Sequence, residues 1–377
     1  MMRVVVVRDC WAHYRLRLAE ALVTDPNTNY ILYGDKSKAT YQDVPVYQGS
    51  DDLVRHMPTR SAFGLIYWQW GLIRIAMRSD TECLIATGNW RYISTWIAAV
   101  VARLRGTPVW LWTQGWQHSE KGVRLLVRKM FYKLATGLLL YGHIAKNYAI
   151  ENGICPGDIQ VIHNALNFRA DILVNSRSST QALGPPHKSF INLLFVGRLK
   201  EHVRLDLAIQ AMALLNQQGQ QVRFTVAGPG SRSRNLARLA RELNVSVEFV
   251  GPVYDPEILA NLYANADCVV SPGVIGLLAI AALEHGTPVV TKDGWERHGP
   301  EAEALVEGRT AALWDGQRVE SLADAILRGS QLGRKPETAS RCLDTVVNFY
   351  CVEFQKGAID WVVGGNACND LWFHRVS

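Results

Sequence analysis

The run beginning at Ile191 reads INLLFVGRLKEHVRLDLAI and sets Gly197, Arg198, Lys200 and Arg204 directly behind an apolar, β-type stretch. A guanidinium is always charged and offers a planar fork of N–H donors that fits phosphate oxygens, so this spacing points to anion binding. Arg198 also has the plainer option of pairing with Asp206 or Glu201 on the surface. Glycine turns follow in the same half: Gly228 and Gly230 in AGPGS, then Pro252 and Val253 in GPVY. The loop SPGVIGL carries Ser271, Pro272, Gly273, Gly276 and Leu277. Small residues at a strand-to-helix junction leave main-chain N–H groups open, and the helix N-terminus adds partial positive charge. Glycine at a strand end also makes ordinary turns. Carboxylates for hydroxyl groups come from Glu284 and from Glu301 in RHGPE, near His298. Glu301 serves equally well as a first-turn carboxylate of a helix starting at Pro300.

These residues need a scaffold that gathers loops at one edge. From Ile191 to Thr291, short apolar runs alternate with amphipathic segments, and Gly or Pro clusters close the strands. This is the pattern of a doubly wound parallel sheet, in which ligands bind at the carboxyl ends of the strands. The N-terminal half repeats it more loosely, from the strand Arg3 to Val7 through the strand Pro108 to Trp112. The loop TQGWQHSEKG after that strand presents Gln114, Gly115, Trp116 and His118. At 377 residues the chain divides into two α/β domains, residues 1–175 and 190–345, with a polar linker over 175–188. A helix at about 350–377 is expected to pack back on the first domain. Two Rossmann-like domains facing across a cleft are the expected architecture.

With 48% hydrophobic and 20% charged residues, disorder is excluded as the default. The net charge of +6 favours anionic partners. Seven scattered cysteines without a close pair imply a reduced, cytoplasmic protein, and no zinc-type spacing predicts a metal. MMRVVVVRDC reads as a buried first strand rather than a signal peptide, and no apolar run is long enough to span a bilayer. The segment EKGVRLLVRKMFYK is a basic helix suited either to covering the sheet or to resting on anionic lipid at the inner face of a membrane. Basic residues are not interleaved with aromatics as nucleic-acid binding requires.

The ordered set VGRL, AGPG, VGPV, DCVVSPG, GTPVVT and GPE resembles the nucleotide-sugar-binding domain of GT-B glycosyltransferases, in particular retaining family 4. ENGICPGDIQVIHNALN resembles the segment that ends the acceptor domain there. The resemblance covers most of residues 85–315. The family's paired glutamates are only half present: Glu284 fits the second, and Gly276 stands at the first, as in a variant subgroup with SPGxxGL and a downstream H-x-P-E. The lysine expected after GRL is displaced, with Val203 at its place between Lys200 and Arg204.

The resemblance implies a sugar-nucleotide-dependent transferase that builds a cell-surface glycan (lipopolysaccharide, capsule or exopolysaccharide) on a glycan or lipid-linked acceptor. Arg198 and Lys200 take the diphosphate charge in place of a metal, so no cofactor is expected. Gly197, Arg204, Gly228, Gly230, Pro252, Val253, Ser271, Pro272, Gly273, Gly276, Leu277 and Glu284 border the nucleotide. Glu301 and His118 join the catalytic set, and Gln114, Gly115, Trp116 and His118 meet the acceptor. An epimerase or hydrolase of the same fold, or a non-catalytic binding module, are the alternatives.

Overall fold

The computed structural model describes residues 1–37, 40–41, 44–166, 190–294, 297–366 and 368. The linker expected over 175–188 and the tail of the expected terminal helix lie outside the described residues. The chain forms two compact units: Met1–Arg169 with Phe349–Ser377, and Ala170–Asn348.

The first unit contains β1 (Met2–Val7), β2 (Thr28–Gly34), β3 (Thr40–Tyr41), β4 (Val44–Pro45), β5 (Arg55–His56), β6 (Thr59–Ala62), β7 (Ile66–Gln69), β8 (Cys83–Thr87), β9 (Val109–Thr113), β10 (Gly137–Leu140) and β11 (Ile159–Val161). Its helices are α1 (Leu16–Val23), α2 (Leu72–Met77), α3 (Ile93–Leu104), α4 (Gly122–Lys133) and α5 (His143–Glu151). Seven strands form one sheet in the order β11-β10-β9-β8-β1-β2-β5, and every pairing in it is parallel. Val4–Val7 and Cys83–Thr87 are buried throughout, as central strands covered by helices on both faces must be. The antiparallel hairpin β6–β7 and the helix α2 were not foreseen, because Thr59–Trp70 mixes charged, aromatic and small residues without a clean period.

The second unit contains β12 (Ile191–Val196), α6 (Leu205–Gln217), β13 (Val222–Ala227), α7 (Ser233–Glu242), β14 (Ser246–Gly251), α8 (Pro256–Asn265), β15 (Cys268–Ser271), α9 (Leu277–Glu284), β16 (Val289–Lys292), β17 (Ala311–Trp314), α10 (Val319–Gly333) and α11 (Pro336–Phe349), whose last residue falls in the first unit. Its sheet runs β14-β13-β12-β15-β16-β17, again with parallel pairing throughout. Numbered within each unit, both sheets start in the order 3-2-1-4-5-6. Strand direction of growth reverses between β1 and β8 in the first and between β12 and β15 in the second. At those points neighbouring loops turn to opposite faces and leave a crevice at the carboxyl edge.

The helical region expected to continue from about 340 to 363 is two helices. Cys351 is extended and its Sγ accepts the Phe354 N–H, which starts α12 (Val352–Val363) in a new direction. α12 belongs to the first unit. Lys356 bridges Asp25 and Asp360, Asp360 accepts the Tyr30 hydroxyl at 2.6 Å, and the Gln355 amide donates to the His163 carbonyl at 2.6 Å and accepts from Ala165 N–H at 3.3 Å. Gln355 is 1% exposed, so both main-chain groups depend on it. Gln355→Ala is expected to cost about 2–3 kcal/mol in urea unfolding, since it strands a buried carbonyl and a buried N–H.

Candidate functional site

In the second unit the loop after β12 lies at the reversal point. Arg198 is half-buried and Lys200 exposed; a short turn at Glu201–Val203 and a left-handed Arg204 then start α6. The neighbouring loops close on this one with no room to spare. A Cβ on Gly228 (φ +145°) would stand 1.8 Å from the Gly197 carbonyl oxygen, and one on Gly273 would stand 2.0 Å from that of His202. Leu199 N–H donates to Pro229 O, while Gly273 and Val274 N–H donate to Val203 O and His202 O. The glycines thus lock three loops together at the carboxyl edge, with Gly230 against Leu199 in the same junction.

This packing changes the expected roles of several residues. The Gly273 amide is spent on the protein, so the cradle reduces to Gly276 and the first turn of α9 at Leu277. The Ser271 side chain is buried and its hydroxyl bonds Val274 O, while Pro272 O accepts Trp314 Nε1–H at 2.9 Å; both brace the loop rather than face a ligand. Arg204 gives its fork to Asp206, with Nη2 at 2.9 Å and Nε at 3.1 Å from Oδ2. Arg204 is thus an ion-pair partner within the protein rather than a cation turned to a ligand. Pro252 is exposed and Val253 half-buried in the loop after β14.

Glu301 and His298 come back to the same edge. His298 Nδ1 accepts Ile275 N–H at 3.1 Å, and Nε2 donates to Lys292 O at 3.1 Å. Burial lowers its pKa, so the ring stays neutral and ties the two loops. Glu301, 5% exposed, sits in the short turn Pro300–Ala304 with Oε2 3.6 Å from where Gly276 would carry a Cβ. A carboxylate from the downstream loop therefore lies against the position where the paired-glutamate pattern lacks one.

Glu284 is a correction. It is the last residue of α9, at the end remote from the carboxyl edge, is 4% exposed, and both carboxyl oxygens are buried without a hydrogen-bond partner. It is not presented to a ribose. Seven residues separate it from Gly276, and spacing alone does not reveal which end of the apolar helix meets the carboxyl edge.

In the first unit, a depression of about 660 Å³ opens at the reversal between β1 and β8. Gln114 and Gly115 line it; Gln114 is exposed and Gly115 is held left-handed against Leu140. Trp116 is a second correction: it is 0% exposed and packs edge-on to Tyr132, a core residue rather than a platform for an acceptor. His118 is exposed on the same loop and does not line the depression. Residues that sequence reasoning passed over do: Arg8, Arg15 and Trp112. The signal was available in RDCWAHYR, which follows the first strand directly. Cys10 beside them is no nucleophile, because burial and then Asp9 push its thiol up to about 12. A second hollow of about 640 Å³, around Pro108, Gly137 and Cys155, lies at the amino edge of the strands, away from either reversal point.

Burial of Glu284 raises its pKa well above 4.5. The folded chain then holds a proton that the unfolded chain gives up as pH rises past that value, so stability falls with rising pH until the folded carboxyl itself ionises. Glu284→Gln keeps the shape and cannot ionise. It is expected to unfold later than the parent at pH 8, by about 1.4 kcal/mol per pKa unit of displacement, and to lose that advantage near pH 4. Nucleotide binding measured on the same variant should be unchanged.

The chain is 34% identical over 163 residues to a D-inositol 3-phosphate glycosyltransferase of Corynebacterium urealyticum, covering 40% of this chain and 37% of that one. It is 36% identical over 161 residues to a GDP-mannose-dependent alpha-(1-6)-phosphatidylinositol dimannoside mannosyltransferase of Mycobacterium tuberculosis, covering 42% and 36%. It thus spans little more than a third of the length of these relatives. Over nearly the whole chain the fold matches lipopolysaccharide outer core galactosyltransferase WaaB (TM-score 0.69, 14% identity, 97% and 99% covered) and Anabaena Alr3699/HepE in complex with UDP (0.67, 15%, 97% and 100%). A UDP-GlcNAc 2-epimerase from Neisseria meningitidis shares it as well (0.59, 15%, 96% and 100%). The fold is therefore that of the GT-B enzymes, and residues 191–331, which carry the interlocked loops around Arg198, match the model of the family Glycosyl transferases group 1.

Proposed function

We propose that this protein is a glycosyltransferase that moves a sugar from a nucleoside diphosphate sugar to a hydroxyl of an acceptor held by the first unit. The observation that carries the reading is the junction at Gly197, Gly228 and Gly273, which fixes the loop of Arg198 and Lys200 beside the first turn of α9 at the reversal point of a Rossmann-like sheet. It lies inside the segment that matches the glycosyltransferase family model.

When the bond from the anomeric carbon to the leaving phosphate oxygen breaks, negative charge builds on the diphosphate. Fixed cations and main-chain donors stabilise that charge more than they stabilise the bound donor. Arg198 and Lys200 supply the cations, so no metal or other cofactor is assigned a role. Glu301, beside Gly276, holds sugar hydroxyls. In a retaining course the acceptor oxygen bonds to the same face of the anomeric carbon and its proton passes to the departing phosphate oxygen, so no separate protein base is needed. The UDP, UDP-and-glucose and UDP-glucose complexes of HepE support a UDP-sugar donor, and the galactosyltransferase WaaB supports a cell-surface saccharide, lipopolysaccharide among them, as the product.

The epimerase reading keeps the fold in its favour but lacks the sequence match over 191–331. Peripheral membrane contact at the cytoplasmic face belongs to the same proposal. No helix among the described residues is long and apolar enough to cross a membrane. Exposed Val123, Leu126 and Met130 on α4 and exposed Phe63 and Leu65 at the β6–β7 turn offer apolar anchors.

Arg198→Ala is expected to lower kcat by about 10²–10³-fold with UDP-sugar and acceptor, while the melting temperature stays within about 1–2 °C because the side chain is half-exposed. Unchanged turnover would remove Arg198 from the mechanism. Turnover of the donor without any acceptor would favour the epimerase or hydrolase. Phe63→Glu with Leu65→Glu should reduce co-sedimentation with anionic vesicles and leave UDP affinity intact.

A further inference from the structure

Two arginines at the reversal point of the first sheet are buried with only loose carboxylate compensation. Arg8 follows β1 and is 9% exposed; its Nε and Nη1 have no hydrogen-bond partner, and Asp9 approaches Nη2 only to 3.8 Å. Arg15, at the start of α1, is 7% exposed; its Nε is unpartnered and its Nη2 reaches Asn164 at 3.3 Å. Both lie against one ring, their guanidinium carbons 4.3 Å and 5.8 Å from the Trp112 centroid, and Arg15 also lies 5.3 Å from the Tyr141 ring. Cation–π contact recovers part of the cost of removing two charges from water, but it leaves the planar N–H donors unused.

The contrast with their neighbours is direct. Arg124 and Arg128 reach the same depression but share Glu120, at 3.2 and 3.1 Å, and Arg128 donates to Gly115 O. That single carboxylate offsets part of their charge, although Arg128 Nε is also left without a partner. Asp9 is the one carboxylate lining the depression, against five arginines, and one of its oxygens accepts Cys10 N–H. Buried guanidinium groups with unused N–H donors, backed by aromatic faces and lining a depression at the carboxyl edge of a parallel sheet, suit a tetrahedral oxyanion.

We propose that Arg8 and Arg15 bind a phosphoryl group, and that the acceptor carries it. The word acceptor rests on the transferase reading above; the phosphoryl site rests on the two arginines alone. The forks of Arg8 and Arg15 grip the phosphoryl oxygens, Trp112 and Tyr141 keep water off the far side, and the part of the acceptor to be glycosylated extends from the seat. Acceptors that lack a phosphoryl group leave both charges unpaired in the crevice and bind more weakly.

The test uses the full chain, saturated with UDP so that anions are excluded from the Arg198 loop. Inorganic phosphate and pyrophosphate are titrated by calorimetry, with glycerol 3-phosphate against glycerol as a second pair. Saturable phosphate binding is expected, with glycerol inert. Arg8→Gln and Arg15→Gln should each weaken it at least tenfold without lowering the melting temperature of the free protein, because each removes a buried charge that its neighbours compensate only in part. Arg8→Lys keeps the charge but not the fork and should also weaken binding; it remains informative if a glutamine variant fails to fold. Phosphate affinity unchanged in these variants, or lost stability with affinity retained, would show that the arginines serve packing and overturn the proposal. A chain that binds UDP but no phosphate here defeats this inference alone; one that binds phosphate here but no nucleoside diphosphate defeats the transferase reading alone.

Discussion

The main-chain contact between loops at the carboxyl edge of the second sheet is the constraint on which the candidate site depends. Gly228 lies so close to the Gly197 carbonyl, and Gly273 to that of His202, that no side chain fits at either place. This contact converts three separate turns into one rigid platform. The main chain that carries Arg198 is thereby fixed before any ligand arrives. The same contact consumes the Gly273 and Val274 amides, so an anion is left the first turn of α9 rather than the glycine loop itself.

The two units use buried charge in opposite ways. Glu284 is buried with neither carboxyl oxygen hydrogen-bonded, and burial raises its pKa, which favours the uncharged form. A guanidinium has no such escape, because it does not release its proton in a protein. Arg8 and Arg15 must therefore be compensated by rings, by Asn164 and by whatever occupies the crevice. An isolated buried carboxyl is a local cost to stability, whereas two permanently charged groups set side by side at the opening of a sheet are organised for a ligand.

Much of the architecture was legible in the chain itself. Val4–Val7, Ile191–Val196 and Cys268–Ser271 are short β-branched or apolar runs ended by turn residues, and they are central strands. The glycine motifs mark the loops that meet at the ligand edge, because only glycine tolerates such close main-chain approach. The hairpin at Thr59–Gln69 was not legible, since its stability comes from pairing across the turn and from Tyr67 stacking on Tyr92 rather than from its own pattern. The break at Tyr350–Cys351 is hidden for a similar reason: nothing in the local sequence forbids a continuous helix, and α12 turns away because Gln355, Lys356 and Asp360 find partners at His163 just past β11, Asp25 just past α1 and Tyr30 on β2.

By itself the sequence determined the two α/β units and the carboxyl-edge loops, Arg198 among their residues, because strand runs, helix periods and glycine turns are local properties of the chain. Tertiary structure alone decided which polar side chains those loops expose. It placed Glu284 and Trp116 in the core, gave Arg204 to Asp206, brought Glu301 against Gly276, and left Arg8 and Arg15 with unfilled donors. The physical reason is that burial and hydrogen-bond satisfaction are set by residues distant in sequence, and no spacing rule along one helix or loop records who those neighbours are.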